Sequence, residues 1–402
     1  MTTTETQPPC RWGILATGGI ARSFALDLLV DPKTRGPTGQ RHTIVAAASS
    51  SGQSRAQAFL KDVGASEDAR GYGSYEELAN DANVDIIYIA SPHSHHFQNM
   101  MLCLSAGRNV LCEKAFVVNA KQLRVLIETA KEKGLFLMEA VWTRYFPLSH
   151  YMKQVILDGK LGIVRSVIGD LTMPIKHTPA DSTKFARVED PVTAGGALLE
   201  LGVYPINWCF QAIYDILPEE HRQPPTVLAQ AKLHRSGVDE QTTVLLSFPR
   251  PAEYGGAAHG VATCAIPPHG NRWRDRVEQP AVRILGDDGD LELMYPAFRP
   301  TRTRLTTKDG QVVIKEWLHE GPGPGSQWWN WYGEERLPEG EARGMALQAD
   351  EAAMAMREGK GESRVAGLGE SLAVMEVLDE VRRQIGLRYP EEVESAEYPC
   401  PA

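Results

Sequence analysis

Residues 13–21 read Gly-Ile-Leu-Ala-Thr-Gly-Gly-Ile-Ala and join an apolar run, residues 11–16, to a helical pattern that extends to about residue 29. A strand that ends in a glycine-rich turn and opens a helix is the setting of the dinucleotide-binding fingerprint. The match is imperfect because Ala16 and Ala21 occupy the first and third glycine positions of G-x-G-x-x-G, and a plain strand–turn–helix stays an alternative. The nucleotide contacts that this stretch predicts come from Thr17, Gly18, Gly19 and Ile20.

Further apolar runs alternate with helical patterns along the N-terminal third of the chain. The runs predicted as strands are residues 44–48, 84–90, 110–112 and 135–140. Ser74, followed three residues later by Glu77, is typical of a capping box that opens a short helix. Repeated alternation of strand and helix favours a parallel sheet with right-handed crossovers. We therefore predict a Rossmann domain over residues 1–141.

Beyond Trp142 the pattern changes to longer stretches in which apolar and polar residues alternate. This period of two predicts a mostly antiparallel sheet with one face covered by helices. The stretches predicted as strands are residues 164–172, 226–233, 242–248, 260–266, 282–285, 290–294, 302–307 and 311–316. The predicted helices are residues 147–158, 196–214, 344–358 and 368–385, and residues 32–42 are predicted as a polar loop insertion. The predicted fold is α/β: an N-terminal Rossmann domain plus a C-terminal α+β domain, residues 142–402, with a large, mostly antiparallel open sheet.

Composition narrows the class of protein. The formal net charge of −9 argues against a general nucleic-acid binder, which needs a basic face. No stretch of about 18 apolar residues suggests a membrane span, and residues 1–9 lack the apolar core of a secretory signal. Six cysteines without a C-x-x-C pair suit a reducing compartment. We expect a cytoplasmic protein that binds neither nucleic acid nor membrane.

The end of the second predicted strand favours NADP over NAD. An NAD enzyme places a carboxylate there to hold the ribose 2′-hydroxyl. Here the chain reads Ser49-Ser50-Ser51, followed by Arg55. Hydroxyl donors and a guanidinium suit a 2′-phosphate, although a plain polar turn would give the same residues.

Ser91-Pro92-His93-Ser94-His95-His96 follows the 84–90 strand, where ligands sit in parallel sheets. Ser91, Pro92 and His93 are therefore predicted to border the cofactor. A metal site at His93, His95 and His96 is disfavoured because neighbouring loop histidines seldom point the same way and no carboxylate is nearby in sequence. We expect no metal.

A lysine and a tyrosine are the candidate catalytic groups. Lys114, preceded by Glu113, ends a buried strand, although lysine is seldom buried without a partner. Glu200 and Tyr204 are four residues apart on a predicted helix opened by Gly195-Gly196, and so share one face. An ammonium beside a phenol would stabilise the phenolate. A solvated lysine and a core tyrosine are the structural alternatives.

Together these motifs resemble the Gfo/Idh/MocA oxidoreductases, most of all their dimeric dihydrodiol dehydrogenases and NADP-dependent D-xylose 1-dehydrogenases. The resemblance runs from about residue 11 to residue 389. Its strongest stretches are residues 72–78, 111–114, 136–144, 195–199 and 237–239.

The resemblance implies a role for each matching residue. Lys114 matches the lysine of the family's E-K-P motif, the usual catalytic residue. Tyr204 matches the tyrosine proposed as proton donor or acceptor. The positions linked to coenzyme binding or to lining of the cleft are Tyr88, His96, Trp142, Arg144 and Glu200. The family also implies NADP, a small-molecule substrate and a homodimer formed through the open sheet.

The chain departs from the family pattern at several positions. Ala115 replaces the proline after the lysine, so the following loop is expected to be placed differently, and Glu200 replaces an aspartate. Residues 321–336, with Trp328, Trp329 and Trp331, match nothing in the family and could form either an interface cluster or an aromatic wall for a substrate. These departures leave the substrate open more than the chemistry.

The expected activity is hydride transfer between NADP and a sugar-like hydroxyl or diol, with Lys114 and Tyr204 beside the nicotinamide. Aldose C1 oxidation, as of D-xylose, is the first expectation. Trans-dihydrodiol oxidation and reduction of a carbonyl or imine in a specialised biosynthetic pathway are alternatives. A non-catalytic NADP sensor is the rival from another class, and it would need neither Lys114 nor Tyr204.

Overall fold

The computed structural model describes residues 7–36, 39–173, 186–266, 276–321 and 340–400. Two sheets organise these residues: one of six strands and one of eight. The six strands of the first sheet are β1 Cys10–Leu15, β2 His42–Ala48, β3 Arg70–Tyr72, β4 Ile86–Ile89, β5 Asn109–Glu113 and β6 Leu137–Ala140. They pair in parallel in the order β3-β2-β1-β4-β5-β6, so the predicted Rossmann sheet is confirmed.

Helices connect these strands. They are α1 Gly19–Leu28, α2 Gln53–Asp62, α3 Tyr75–Ala79, α4 His93–Ser105 and α5 Ala120–Lys133. The predicted capping box is confirmed, because the Ser74 hydroxyl accepts from the Glu77 N–H and the Glu77 carboxylate accepts from the Ser74 N–H. Successive strands are added to one side of β1 as far as β3, and β4 to β6 are added to its other side. The connections therefore diverge between β1 and β4, and such a switch point opens a crevice at the carboxyl ends of the strands.

The second sheet is mixed and mostly antiparallel. Its strands are β7 Val164–Thr172, β8 Thr226–Leu233, β9 Asp239–Phe248, β10 Ala258–Ala265, β11 Pro280–Gly286, β12 Gly289–Met294, β13 Arg302–Thr307 and β14 Val312–Glu316. The order is β14-β13-β12-β11-β7-β10-β9-β8, with β7 and β10 parallel and the other pairs antiparallel. The predicted open sheet is confirmed.

One face of this sheet is covered by the helix predicted at residues 196–214. Its central part is α7, Val203–Cys209, and wider π-helical turns, Leu198–Gly202 and Phe210–Tyr214, flank it. The extent was predicted and the π winding was not. Gly169 in β7 lets the helix approach, since a Cβ there would lie 2.9 Å from Pro205 Cβ. A further helix, α6 Pro147–Leu157, precedes the sheet.

The C-terminal helices α8 Ala346–Arg357, α9 Leu368–Ile385 and α10 Glu391–Glu394 return to the parallel sheet. The Leu137 N–H of β6 donates to the Gly361 carbonyl at 3.0 Å. The predicted polar loop at residues 32–42 contains a 3₁₀ turn, Pro32–Arg35, and the first residue of β2. Arg35 and His42 both bind Asp350 of α8, at 2.8 and 2.9 Å. This segment is therefore a contact surface for α8 rather than a plain loop insertion. The division of the chain into two domains at residues 141 and 142 stays a prediction.

Within the ranges that the structure describes, no helix combines the length and apolarity that a membrane crossing needs. Of the six cysteines, Cys10, Cys103, Cys112, Cys209 and Cys264 are buried free thiols, and Cys400 is a half-buried free thiol.

Candidate active site

A cavity of about 410 Å³ opens at the carboxyl ends of the parallel strands and extends to α7. The structure brings most of the predicted cofactor residues to its wall. Those near the ends of β1 and β2 are Thr17, Gly18, Gly19, Ile20, Ser49, Ser50 and Arg55. Those that follow the later parallel strands or lie further along the chain are Ser91, Pro92, His93, Glu113, Lys114, Trp142, Glu200 and Tyr204.

The turn between β1 and α1 has the geometry of a phosphate-binding loop. Ala16, at the first glycine position of the fingerprint, has φ +73° and so keeps the left-handed conformation that usually requires glycine. Gly18 is the N-cap of α1, provides no side-chain hydrogen bond to the helix and leaves open space where a Cβ would project. The first N–H groups of α1 are therefore available to an anion, which fits a dinucleotide pyrophosphate.

The loop after β2 is polar and positive. Arg55 is exposed on the first turn of α2, and its Nη2 lies 3.5 Å from the Thr17 carbonyl oxygen of the β1–α1 turn. Ser49 accepts from the Ser51 N–H through its hydroxyl at 3.2 Å. With a guanidinium and hydroxyls where an NAD enzyme has a carboxylate, this end of the cavity fits a 2′-phosphate.

Lys114 enters the cavity from the end of β5, and its side chain is 7% exposed. Its Nζ donates to the Glu200 carbonyl oxygen at 2.8 Å and lies 3.7 Å from Glu200 Oε2. The same nitrogen is 5.4 Å from the centre of the Tyr204 ring. The lysine is thus held by the helix that carries the tyrosine, with its charge against the phenol.

Tyr204 is held from the other side by Trp142. The indole N–H donates to the Tyr204 hydroxyl oxygen at 2.8 Å, and both side chains are buried. Phe298 packs against both rings, at 6.3 Å from the centre of Trp142 and 6.2 Å from that of Tyr204. A donor aimed at the phenol oxygen stabilises negative charge there, which is what a tyrosine that exchanges a proton needs.

Glu200 is a buried carboxylate surrounded by basic groups. Arg187 Nη2 lies 2.8 Å from Oε1, and His93 Nε2 lies 3.6 Å from Oε2. Burial opposes ionisation, but the Arg187 and Lys114 charges together hold the pKa of Glu200 well below its ordinary value. Glu200 is therefore a fixed negative charge, while burial lowers the pKa of His93 to about 3 and keeps the imidazole neutral.

Glu113 is a second carboxylate on the cavity wall. Its Oε1 accepts from the Tyr88 hydroxyl at 2.5 Å, and its Oε2 accepts from the Lys114 N–H at 3.3 Å. Burial raises the pKa of Glu113 to about 7, although the Lys114 charge opposes the rise. The protonation state of Glu113 therefore changes near neutral pH, directly beside Lys114.

Three residues predicted to contact the cofactor, Tyr88, His96 and Arg144, do not line this cavity, and their side chains lie behind its wall. Tyr88 is fully buried and stacks on Phe24 of α1, with ring centres 3.8 Å apart. His96 binds the carbonyls of Ser91 and Ala115 at 2.8 and 2.9 Å.

Arg144 points away from the cavity. Its Nη2 lies 2.7 Å from Asp215 Oδ2 and also contacts the Glu370 carboxylate. A buried guanidinium needs such partners. The W-x-R motif predicted that both side chains line the cleft, but only Trp142 does.

The loop after Lys114 was expected to differ because Ala115 replaces a proline. Its Lys114–Ala115 peptide bond is cis, and Ala115 is fully buried. The three histidines of the 91–96 motif diverge: His93 faces the cavity, His96 is buried behind it and His95 is exposed beside Ser94. Across the described ranges, no three side chains of the usual metal-binding types are grouped so as to hold an ion.

Sequence reasoning missed several side chains of the cavity wall, above all Arg187, Phe298 and Arg343. Arg187 lies on a 3₁₀ turn, Ala186–Glu189, and Arg343 follows a stretch outside the described residues. Neither sits at the end of a strand or in a recognisable motif, so no sequence signal identified them. Trp328, Trp329 and Trp331 lie outside the described residues.

Comparison with known proteins places this chain among oxidoreductases. The Gfo/Idh/MocA model, described as an oxidoreductase family with an NAD-binding Rossmann fold, matches residues 10–141. A D-xylose 1-dehydrogenase (NADP(+)) of Hypocrea jecorina is 45% identical over 384 residues, which are 95% of this chain and 93% of that protein. A trans-1,2-dihydrobenzene-1,2-diol dehydrogenase of Macaca fascicularis is 34% identical over 95% of this chain and 98% of its own length.

Solved structures share the fold at lower identity. A 3-ketoreductase from Actinomadura kijaniata, in complex with TDP-benzene and NADP, has a TM-score of 0.65 at 21% identity, covering 94% of this chain and 98% of its own. An aldose-aldose oxidoreductase from Caulobacter crescentus, complexed with glycerol, has a TM-score of 0.68 at 21% identity, covering 94% and 97%. At such identity the likeness extends to the fold alone.

Proposed function

We propose that this chain, which belongs to the Gfo/Idh/MocA oxidoreductase family, is a dehydrogenase that uses NADP to oxidise the C1 hydroxyl of an aldose such as D-xylose. The observation that carries the proposal is the Lys114–Tyr204 pair at the end of a nucleotide-type cavity. The 45% identity to a fungal D-xylose 1-dehydrogenase, over nearly the whole of both chains, supports D-xylose as the first substrate to test.

The proposed cofactor contacts follow the wall of the cavity. The N-terminus of α1, at Gly18 and Gly19, would face the pyrophosphate, and Ser49, Ser50 and Arg55 would face the 2′-phosphate. When bound, NADP supplies the acceptor for the hydride that leaves the substrate carbon. Tyr88, His96 and Arg144 support this wall from behind without reaching it.

The proposed chemistry of the chain's own residues is proton transfer. The Tyr204 oxygen takes the proton of the substrate hydroxyl, and the Trp142 N–H and the Lys114 charge stabilise the phenolate that does so. Glu200 holds Lys114 in this position through its backbone carbonyl. Such proton transfer typically contributes about 10²–10⁴-fold to the rate.

A second candidate substrate class is trans-dihydrodiols. Phe298 and Trp142 form an aromatic wall beside Tyr204, against which a cyclohexadiene ring would pack. The dihydrodiol dehydrogenases among the relatives support this alternative. Reduction of a carbonyl or imine in a specialised pathway is the third. A non-catalytic NADP sensor is disfavoured, because it would have no use for the Lys114–Tyr204 pair.

A substrate panel separates these alternatives. The purified protein is assayed by NADPH absorbance with aldoses, dihydrodiols and ketones, in both directions and at saturating cofactor. Turnover of D-xylose or D-glucose supports the aldose proposal, and turnover of dihydrodiols alone moves the function to the second candidate. Binding of NADPH without turnover of any compound would contradict both.

Lys114→Ala tests the catalytic assignment. We expect turnover to collapse while NADPH affinity, measured by fluorescence titration, stays largely unchanged. Lys308→Ala is the matched control, because this lysine is 76% exposed and paired with Asp288 on the surface. Near-normal turnover of Lys114→Ala would reject the role of the lysine.

We also propose that the protein forms a homodimer through the open face of the eight-stranded sheet. Leu228, Leu245, Val261 and Ile168 pair across four adjacent strands and form one apolar row, of which Leu228 is 66% exposed. An exposed apolar row of this kind favours a protein partner. Sedimentation of the wild type and of Leu245→Lys tests it: a dimer that becomes a monomer supports the proposal, and a monomeric wild type contradicts it.

The proposed location is the cytoplasm. Free thiols at six described positions are typical of a reducing compartment. Fractionation of cells that express the tagged protein tests this, and recovery from an extracellular or organelle fraction would contradict it.

A further inference from the structure

Arg187 is the cavity residue whose contacts most directly involve the proposed catalytic pair. It lies on the 3₁₀ turn Ala186–Glu189, and its side chain is 28% exposed at the cavity wall. Its Nη2 and Nη1 lie 2.8 and 3.4 Å from the two carboxylate oxygens of Glu200. This two-pronged arrangement is the geometry in which arginine binds a carboxylate most strongly.

The turn that carries Arg187 is fixed against the start of the Glu200 helix. The Gly196 N–H donates to the Val188 carbonyl at 2.7 Å, and the Thr193 hydroxyl donates to the Arg187 carbonyl at 2.5 Å. Gly195 permits this approach, because a Cβ there would lie 2.4 Å from the Val188 oxygen and 2.7 Å from the Arg187 oxygen. The position of Arg187 relative to Glu200 is therefore set by the backbone.

Lys114 and Arg187 approach the same carboxylate but do not share it equally. Arg187 binds it at 2.8 Å, whereas Lys114 Nζ stays 3.7 Å from it and donates to the backbone carbonyl of Glu200. Without the guanidinium, the nearest cation to the buried Glu200 carboxylate among the described residues would be the Lys114 ammonium, which already lies 3.7 Å from it. Attraction in such a poorly solvated site is strong, and it would draw the ammonium towards the carboxylate.

We propose that Arg187 is a positioning residue that occupies the Glu200 carboxylate and thereby leaves the Lys114 ammonium directed at Tyr204 and the substrate oxygen. The inference rests on the proposed function, since it concerns the same Lys114–Tyr204 pair. It makes the Arg187–Glu200 bond part of the active centre, although neither group exchanges a proton with the substrate.

Arg187→Met tests the proposal, because methionine keeps much of the side-chain volume and removes the charge. We expect kcat to fall about 10- to 100-fold, the range that corresponds to the loss of one charge-assisted hydrogen bond. Because the change acts through Lys114, the affinity for NADPH, measured by fluorescence titration, should stay within about twofold of the wild-type value. Arg187→Lys should recover part of the lost kcat. Arg383→Met is the matched control, since this arginine is 71% exposed and pairs with Glu380 on α9.

The pH profile gives a readout that a purely structural role would not move. Arg187 is the largest of the charges that lower the pKa of Glu200, and Lys114 contributes. The neutral His93 imidazole and the Glu113 carboxyl are further titratable groups near Glu200 within the described cavity wall. In Arg187→Met the pKa of Glu200 should rise from well below its ordinary value, so the loss of kcat/KM at acid pH should begin at a higher pH than in the wild type.

A double-mutant cycle completes the test. In a Glu200→Gln background, Arg187→Met should have little further effect on kcat, because the carboxylate it neutralises is absent. Equal losses in both backgrounds, or an unchanged acid limb in Arg187→Met, would overturn the positioning role. A wild-type protein that binds NADPH but turns over no substrate would overturn the proposed function itself, and Arg187 with it.

Discussion

Trp142→Phe isolates the hydrogen bond that the indole N–H donates to the Tyr204 hydroxyl at 2.8 Å. Phenylalanine keeps an aromatic ring in place between Phe146 and Phe298, which lie 5.6 and 6.3 Å from the centre of Trp142. The substitution therefore removes one donor while much of the packing remains.

The size of the effect follows from the charge on the acceptor. A hydrogen bond to a neutral group contributes about 0.5–1.5 kcal/mol and one to a charged group about 1.5–3 kcal/mol. In the reductive direction Tyr204 gives up its proton and a phenolate develops. Only the difference between the phenol and that phenolate acts on the step, because a donor that binds both equally leaves kcat unchanged. That difference of roughly 1–2 kcal/mol corresponds to a loss of about 5- to 30-fold in kcat.

The assay compares kcat, KM and thermal unfolding of the wild type, Trp142→Phe, Tyr204→Phe and the double variant. If Trp142 acts through the phenol oxygen, its substitution should matter little once that oxygen is gone, and the cycle should show a coupling of about 1–2 kcal/mol. An equal loss of kcat in both backgrounds would refute the reasoning, and so would a wild-type kcat in Trp142→Phe.

Three further predictions concern the glycine beside Arg187, a buried carboxyl of β6 and an arginine of α2. Gly195→Ala places a Cβ 2.4 Å from the Val188 oxygen, so it should destabilise the fold by about 1–3 kcal/mol in denaturant unfolding. It should also move the acid limb of kcat/KM to higher pH, as Arg187→Met does. A variant with wild-type stability and a wild-type pH profile would contradict the role given to the glycine. Glu139→Gln should change the dependence of stability on pH, because burial raises the pKa of Glu139 from its ordinary 4.5 to about 7. The contribution of this group to stability is therefore complete below about pH 4.5 and declines up to about pH 7, and equal slopes of melting temperature against pH in the two proteins would count against this. Arg55→Ala should weaken NADP binding about 10- to 100-fold and leave NAD binding nearly unchanged, and equal losses for both cofactors in calorimetric titrations would show that Arg55 does not bind the 2′-phosphate.

The sequence predicted the architecture because the periodicities of two and 3.6 directly reflect which faces are buried. It also placed Lys114 at the cavity, since the end of a buried parallel strand is a known position for ligands. Glu200 and Tyr204 do reach one cavity together, as their spacing predicted, although the helix winds as a π turn there.

Other features of the site depend on tertiary structure that spacing does not encode. A motif position indicates the side of the sheet on which a residue lies but not its depth, which is why Tyr88, His96 and Arg144 were placed at the cavity wall and lie behind it. Arg187 and Arg343 reach the cavity from irregular segments without periodicity. Only the folded chain brings such residues to the wall of the cavity that Lys114 enters.

The carboxylate of Asp27 joins distant parts of the chain. Asp27 belongs to α1 and is fully buried, and its two oxygens accept from the Arg343 and Met345 N–H groups at 3.1 and 2.7 Å. Arg35 and His42 make a second such connection, because both bind Asp350. The two acids therefore join the N-terminal segment, residues 1–141, to residues 340–400. A chimaera that exchanges residues 1–141 between two relatives would have to rebuild both contacts across a new interface: Asp27 needs the backbone N–H groups of residues 343 and 345 in the same place, and Asp350 needs a basic partner on the exchanged segment. Recombination within the family should therefore succeed when the C-terminal helices are exchanged together with residues 1–141. The unit that can be exchanged is then made of two segments that are separate in the gene.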